Sequence, residues 1–437
     1  MRAHLKAWRF GHVVVTVFVL IVGATAVFVE TAAAQDRARD LATANPAEVG
    51  VSADRLARLD AGMRRVVDDG TLAGVVMMLA RHGKVVFADS AGTLDIGTAQ
   101  PVQLDSIFRI FSMTKPVVGV AMMMLHEEGA WQLRDPVSRH IPAFAHLMVH
   151  TGVDAAGNSQ LDAVDPARPM TIRDLMTHTA GLGYVFNQAH PVNRAFVESG
   201  VLDTQAPLQT MIDKLAKIPL LAQPGTEWVY SAAVDVQGYL VEQLSGQPLG
   251  DFLEERIFAP LGMVDTAFYV PADKLHRLAT RHGHDVDGAL TAPDGGPAPT
   301  SPPLGPSGGG GLYGTAPDYL RFAQMLLNGG ELNGARLLAP RSIALMSRDH
   351  LNARERATHF FPGEGFGLDF SVVIDDAASG QSWSTGSYYW FGAAGTWFWV
   401  DPVQDLTFVG MVQVDPAAYN RVHQLSRSLV YQAIVAK

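Results

Sequence analysis

No cysteine occurs anywhere in the 437 residues. That excludes a thiol nucleophile, a thiolate metal site and any disulfide, and it leaves the redox compartment open. Long Lys/Arg runs are also missing, and the formal net charge is -10. Phosphate binding needs a basic patch, so nucleic acid is excluded as a partner. With 17% charged and 48% hydrophobic residues the balance is that of a globular chain, not a disordered one. No internal repeat is visible. Beyond the first 35 residues no stretch is long and apolar enough to span a bilayer.

Those first residues are distinctive. Arg2, Lys6 and Arg9 precede an uncharged apolar run from Val13 to Val29, and Ala32-Ala33-Ala34 follows. The order reads as a secretory signal over 1–34 with cleavage after Ala34; the alternative is an uncleaved membrane anchor at the N-terminus. Either reading puts residues 35–437 outside the cytoplasm, periplasmic or secreted. Any membrane tether is through the N-terminus only.

Ser52 is placed to cap a helix running to about Asp69, with Leu56, Leu59, Met63 and Val66 on one face. Val75–Ala80 and Val85–Ala88, with Gly83 between them, predict a hairpin. The apolar run after Pro116 predicts a buried helix to about Gly129, with proline tolerated in its first turn. A helix is expected from Val234 to Leu244, stopped by Gly246, and another after the cap Thr315. Residues 284–311 read as a long Gly/Pro-rich loop. Strands are expected at Phe366–Ile374, Tyr388–Val400 and Leu406–Val414, and then a helix with Val422, Leu425, Leu429 and Ala433 on one face. The pattern predicts an α/β (α+β) fold. Its sheet is mixed, mainly antiparallel and flanked by helices, it is built from both chain ends, and it lies beside a mostly helical second lobe.

Three segments carry candidate chemistry. In Phe108-Arg-Ile-Phe-Ser112-Met-Thr-Lys115-Pro116, Ser112 and Lys115 share a face at a helix start, among unpaired N–H groups. There Ser112 is the candidate nucleophile, and its own N–H a candidate oxyanion donor. Lys115 is the lone charge between Arg109 and Glu127, and desolvation is expected to lower its pKa so that it accepts the hydroxyl proton. In Gln223-Pro-Gly-Thr-Glu-Trp-Val-Tyr230, the phenol of Tyr230 sits where an extended piece meets a helix, a place for a general base. In Tyr389-Trp390-Phe391-Gly392-Ala393-Ala394-Gly395, small residues let another group approach the backbone. Ala393 is the candidate second oxyanion donor.

Together these segments resemble the serine β-lactamase and penicillin-binding protein superfamily, whose signatures include Ser-x-x-Lys. The resemblance is greatest to class C β-lactamases and the family VIII-type carboxylesterases that share their fold. It runs from about Pro46 to Ala436 and includes Leu175-Met-Thr-His-Thr-Ala-Gly-Leu182, Phe258-Ala-Pro-Leu-Gly-Met263 and Ser307-Gly-Gly-Gly-Gly-Leu312. It implies Ser112 as the acylated serine, Lys115 as the helix lysine and Tyr230 as the tyrosine of Tyr-x-Asn. Two departures stand out. Ala232 occupies the Asn position, and Trp390-Phe391-Gly392 replaces Lys-Thr-Gly as the substrate-binding strand. Losing that amide and ammonium disfavours β-lactams and favours a small-molecule ester or amide.

Other motifs are set aside. Gly305-Pro-Ser307-Gly-Gly lacks the strand and helix of a nucleophile elbow. His276, His282 and His284 lack a completing Glu, and no metal or other cofactor is expected. His178 with Asp174 is read as a structural turn and not a triad. Three functions follow in order: an exported esterase working through an acyl-serine, a β-lactamase or D-Ala-D-Ala-type peptidase, and a non-catalytic binder of the same fold.

Overall fold

Helical and strand segments from both ends of the chain meet in one sheet. The computed structural model describes residues 41–153, 159–160, 166–292, 298–359, 361–414 and 416–436, so the signal expected over 1–34 lies outside the described residues. Seven strands make the sheet: β1 (Gly74–Arg81), β2 (Lys84–Gly92), β3 (Glu364–Phe366), β4 (Ser371–Val373), β5 (Tyr388–Phe391), β6 (Trp397–Asp401) and β7 (Leu406–Met411). Their order is β3-β4-β5-β6-β7-β1-β2. Every pairing is antiparallel, with Val76 opposite Met411 where the two chain ends join. The helices that matter here are α1 (Ala53–Asp68), α2 (Thr114–Glu127), α3 (Ala233–Ser245), α4 (Ala316–Leu327) and α5 (Pro416–Tyr431).

Local rules account for most boundaries. Ser52 Oγ accepts the Arg55 N–H at the start of α1. The β1–β2 turn puts His82 and Gly83 both at positive φ, 52° and 71°, as a tight hairpin of right-handed twist requires. β1 is buried along its whole length, which is why its sequence is continuously apolar rather than alternating. Val75, Met77 and Leu79 of β1 share one core with Leu56, Leu59 and Met63 of α1 and with Val422 and Val430 of α5. α4 packs on the sheet against β1, β6 and β7. α2 is buried from Thr114 through Leu125 and packs on α3, whose C-cap Gly246 is left-handed.

Four expected elements are divided or shortened; the strand expected at Leu406–Val414 ends at Met411. Phe366–Ile374 is two strands, turned at Asp369 with φ 65°. Tyr388–Val400 is a hairpin and not one strand: Gly392 N–H donates to Thr396 O, and Gly395, at φ 92°, closes the turn. Ala433 is buried but lies beyond the end of α5 at Tyr431. The segment 305–312 is loop and turn, with neither a strand before Ser307 nor a helix directly after it.

Candidate active site

Ser112 sits on a 3-10 turn, Phe111–Met113, that runs into α2. The turn is held from outside. Ile110 N–H donates to Leu312 O at 3.0 Å, Leu312 N–H donates to Thr114 Oγ1 at 3.1 Å, and Tyr319 OH donates to Met113 O at 2.8 Å. Phe111, directly before the serine, has φ 43°. A bulky residue in the left-handed region costs energy, and such strain gathers at functional sites.

Lys115 is 1% exposed. Its ammonium donates to Ser112 Oγ at 3.2 Å and to Gly309 O at 2.6 Å. It also lies 4.5 Å from the Tyr230 ring centroid and 5.3 Å from that of Tyr184, so its third N–H is left for the phenols. Burial alone pushes this lysine down, but Tyr184, Tyr230 and Asp235 together raise it above the ordinary lysine range. The expected lowered, proton-accepting lysine is thereby corrected: Lys115 is an ammonium, because its neighbours more than offset the burial.

Asp235, one helical turn beyond Tyr230, supplies part of that compensation. It is buried, and its Oδ1 accepts the Ser307 hydroxyl at 2.6 Å and the Gly309 N–H at 3.0 Å. It therefore fixes the Gly309 peptide whose carbonyl receives Lys115. A Cβ on Gly309 would lie 2.3 Å from Asp235 Oδ2, so only glycine fits this contact. Ser307, the serine of the elbow-like motif, is thus spent on Asp235.

Tyr230 is boxed in by aromatics. Its hydroxyl accepts from Trp390 Nε1 at 3.2 Å. The Trp228 ring lies near-parallel at 6.0 Å and the Tyr184 ring perpendicular at 5.7 Å. His178 packs on it at 4.8 Å. The His178 Nδ1 accepts the Ser231 N–H at 3.3 Å, and burial holds the ring well below the ordinary histidine range, so it is neutral. Asp174 is bonded to Arg168 and Thr171 rather than to this ring.

The β5–β6 turn brings Ala393 to the site. A Cβ on Gly392 would lie 2.5 Å from Ile110 O and 2.3 Å from Thr396 Oγ1, so the missing side chain is what lets the hairpin close on the serine turn. Gly392 is accordingly a close-approach position and does not line the cavity, which corrects its expected place beside substrate. The N–H groups of Ser112 and Ala393 have no partner among the described residues. Trp390, Phe391 and Ala393 line a cavity of ≈ 890 Å³ with Ser112 and Tyr230. Phe186, Trp228 and Phe361 complete its apolar walls. Among the described residues no Lys or Arg lines it.

Sequence reasoning passes over Tyr184 and Asp235. Asp235 carries the signal that singles out Lys115: one charge in an otherwise apolar helix, Ala233–Val241. Tyr184 stands two residues past Leu182 and has no comparable mark.

Nothing in this arrangement asks for a histidine base, and that separates it from the triad hydrolases: it is the site of a serine hydrolase on the β-lactamase fold. Comparison with known proteins agrees. The family model described as Beta-lactamase matches residues 59–431, and the chain belongs to that family. Protein Rv1367c of Mycobacterium tuberculosis (strain ATCC 25618 / H37Rv) is 40% identical over 365 residues, covering 82% of this chain and 89% of the relative. Esterase EstB of Burkholderia gladioli is 32% identical over 365 residues, 79% of this chain and 88% of EstB. The solved structure of EstCE1, a hydrolase with promiscuous acyltransferase activity, superposes with TM-score 0.73 at 29% identity, covering 86% of this chain and 99% of EstCE1.

Proposed function

We propose that the protein is an exported esterase that cleaves small carboxylic esters through an acyl-enzyme on Ser112. The observation that carries this reading is the cavity wall: aromatic side chains around the nucleophile, and neither Lys nor Arg among the lining residues. A site for a β-lactam or a peptide C-terminus needs a partner for a carboxylate, and apolar walls suit an uncharged acyl or alkoxy group. The names of EstB and EstCE1 support the esterase reading, and the apolar run at Val13–Val29 supports export.

Ser112 Oγ attacks the ester carbonyl carbon, and its proton passes to the Tyr230 phenolate oxygen, whose charge the Lys115 ammonium offsets. The carbonyl oxygen becomes an oxyanion between the N–H groups of Ser112 and Ala393. Collapse breaks the C–O bond to the alcohol, which leaves with the proton from Tyr230. Water then repeats the sequence on the acyl-serine, giving the carboxylic acid and free Ser112. An alcohol in place of water gives a new ester by the same steps.

The test is parallel turnover of a short-chain nitrophenyl ester, a chromogenic cephalosporin and a D-Ala-D-Ala peptide. The ester is expected to be by far the fastest. An efficient cephalosporinase with little ester hydrolysis overturns the substrate assignment and leaves the nucleophile standing.

A further inference from the structure

Among the described residues Glu227 is the one acidic residue lining the cavity, and it has neither a hydrogen-bond nor an ion-pair partner among them. It directly precedes Trp228, in the same segment that presents Tyr230. Around it are π faces. Phe186, Trp228, Tyr230, Phe361 and Trp390 all line the same space, and the Phe186 and Trp228 rings both lie within 19° of parallel to Tyr230. Phe186 is 52% exposed, so this aromatic surface reaches solvent. The wall histidine, His190, is held below the ordinary histidine range by burial and by His150 and brings no positive charge at neutral pH. The Lys115 ammonium is already engaged by Ser112 and Gly309.

Lys115 already faces the Tyr230 and Tyr184 rings, which leaves the faces of Phe186, Trp228, Phe361 and Trp390, with the Glu227 carboxylate, to attract an ammonium group. The excess of acidic over basic residues in the chain, 43 against 33, adds a field of the same sign. We propose that Glu227 is a specificity-determining residue: it selects esters carrying a cationic ammonium in their acyl or alcohol part over neutral ones, and rejects esters carrying a carboxylate. The proposal rests on the esterase reading and narrows it, among small esters without a carboxylate, to those carrying a cation. A carboxylate substrate would bring a second negative charge beside Glu227, and no Lys or Arg among the described lining residues would offset it.

Two sets of probes test it. In the first, nitrophenyl esters of equal acyl length end in trimethylammonium, methyl or carboxylate. In the second, butyrate esters carry the same three groups on the alcohol. In at least one set, kcat/KM is expected to fall from cationic to neutral to anionic, spanning roughly 10–100-fold between the charged members at low salt and shrinking as salt rises. In Glu227→Gln the cationic-to-anionic ratio is expected to drop by about tenfold or more, and Glu227→Lys should invert it. Equal rates for the three esters in both sets with the wild-type protein, or a ratio unmoved in Glu227→Gln, overturns the proposal. Failure of the wild-type protein to turn over any of the three overturns the esterase reading itself, so the two failures are distinguishable.

Discussion

The floor and the walls of the cavity are built on opposite terms. Beneath Ser112, the charged groups have partners: Lys115 has Ser112 and Gly309, and Asp235 has Ser307 and Gly309, both through Oδ1. Above it, the walls are aromatic, and Glu227, their one carboxylate among the described residues, has no partner among them. A matched floor fixes protonation and geometry before substrate arrives. An unmatched wall leaves a charge for the substrate to answer. The difference separates chemistry from selectivity, and substitutions on the two sides should fail in different ways.

The largest effect is expected on the floor. Lys115→Ala and Tyr230→Phe should each lower kcat by roughly 10²–10⁴-fold, and the double variant should be little worse than either, because both interrupt one proton path. Losses that multiply would show two separate paths.

Asp235→Asn sharpens the same point. The amide can still accept from Ser307 and Gly309, but the charge that helps hold Lys115 as an ammonium is gone. Lys115 lies above its ordinary range with Asp235 as one of the causes, so removing that cause moves its titration down. The alkaline limb of the pH–kcat profile should shift to lower pH, and kcat at neutral pH should fall by about tenfold, by loss of a charge–charge contact. An unmoved alkaline limb would show that Asp235 only packs.

At the join between floor and wall stands Trp390, which both lines the cavity and donates to the Tyr230 hydroxyl. Trp390→Phe keeps the apolar wall and deletes that hydrogen bond. A hydrogen bond is worth about 1 kcal/mol, so kcat should fall several-fold with KM nearly constant. A change in KM alone would assign Trp390 to the wall only.

How much of this contrast the sequence discloses depends on how local each signal is. Ser112, Lys115 and Tyr230 are legible because each stands in a contiguous motif at a helix start. The strand β1 and the helix α2 are legible because burial on every side writes an unbroken apolar run. The division of Tyr388–Val400 is hidden because Gly392 and Gly395 look like strand interruptions until the close approach to Ile110 is known. The state of Lys115 is hidden for a deeper reason. Burial is visible in its apolar neighbours, but the groups that reverse the effect of burial come from residues 184, 230 and 235. The partner that receives its N–H comes from residue 309.

The smallest effect on turnover is expected from two buried histidines that act on stability, His178 packed on Tyr230 and His423 stacked on Trp397. His178 and His423 are buried and held well below the ordinary range by desolvation, His423 to about 3. Each is neutral when folded and protonates more readily when unfolded, so the stability they preserve at neutral pH is lost as pH falls below about 6.5. Between pH 7.5 and pH 5 this should cost ~1–2 kcal/mol each and lower Tm by several degrees. His423→Asn should flatten part of that dependence, and a Tm independent of pH over this range would show the rings already charged.

The central claim is that the matched floor makes Ser112 the acyl acceptor. Intact-mass and peptide mapping after a fluorophosphonate or a slow nitrophenyl ester tests it directly. One adduct per chain is expected, on the peptide carrying Ser112, absent from Ser112→Ala and slowed in Lys115→Ala. An adduct on Ser307, or labelling undiminished in Ser112→Ala, would contradict it.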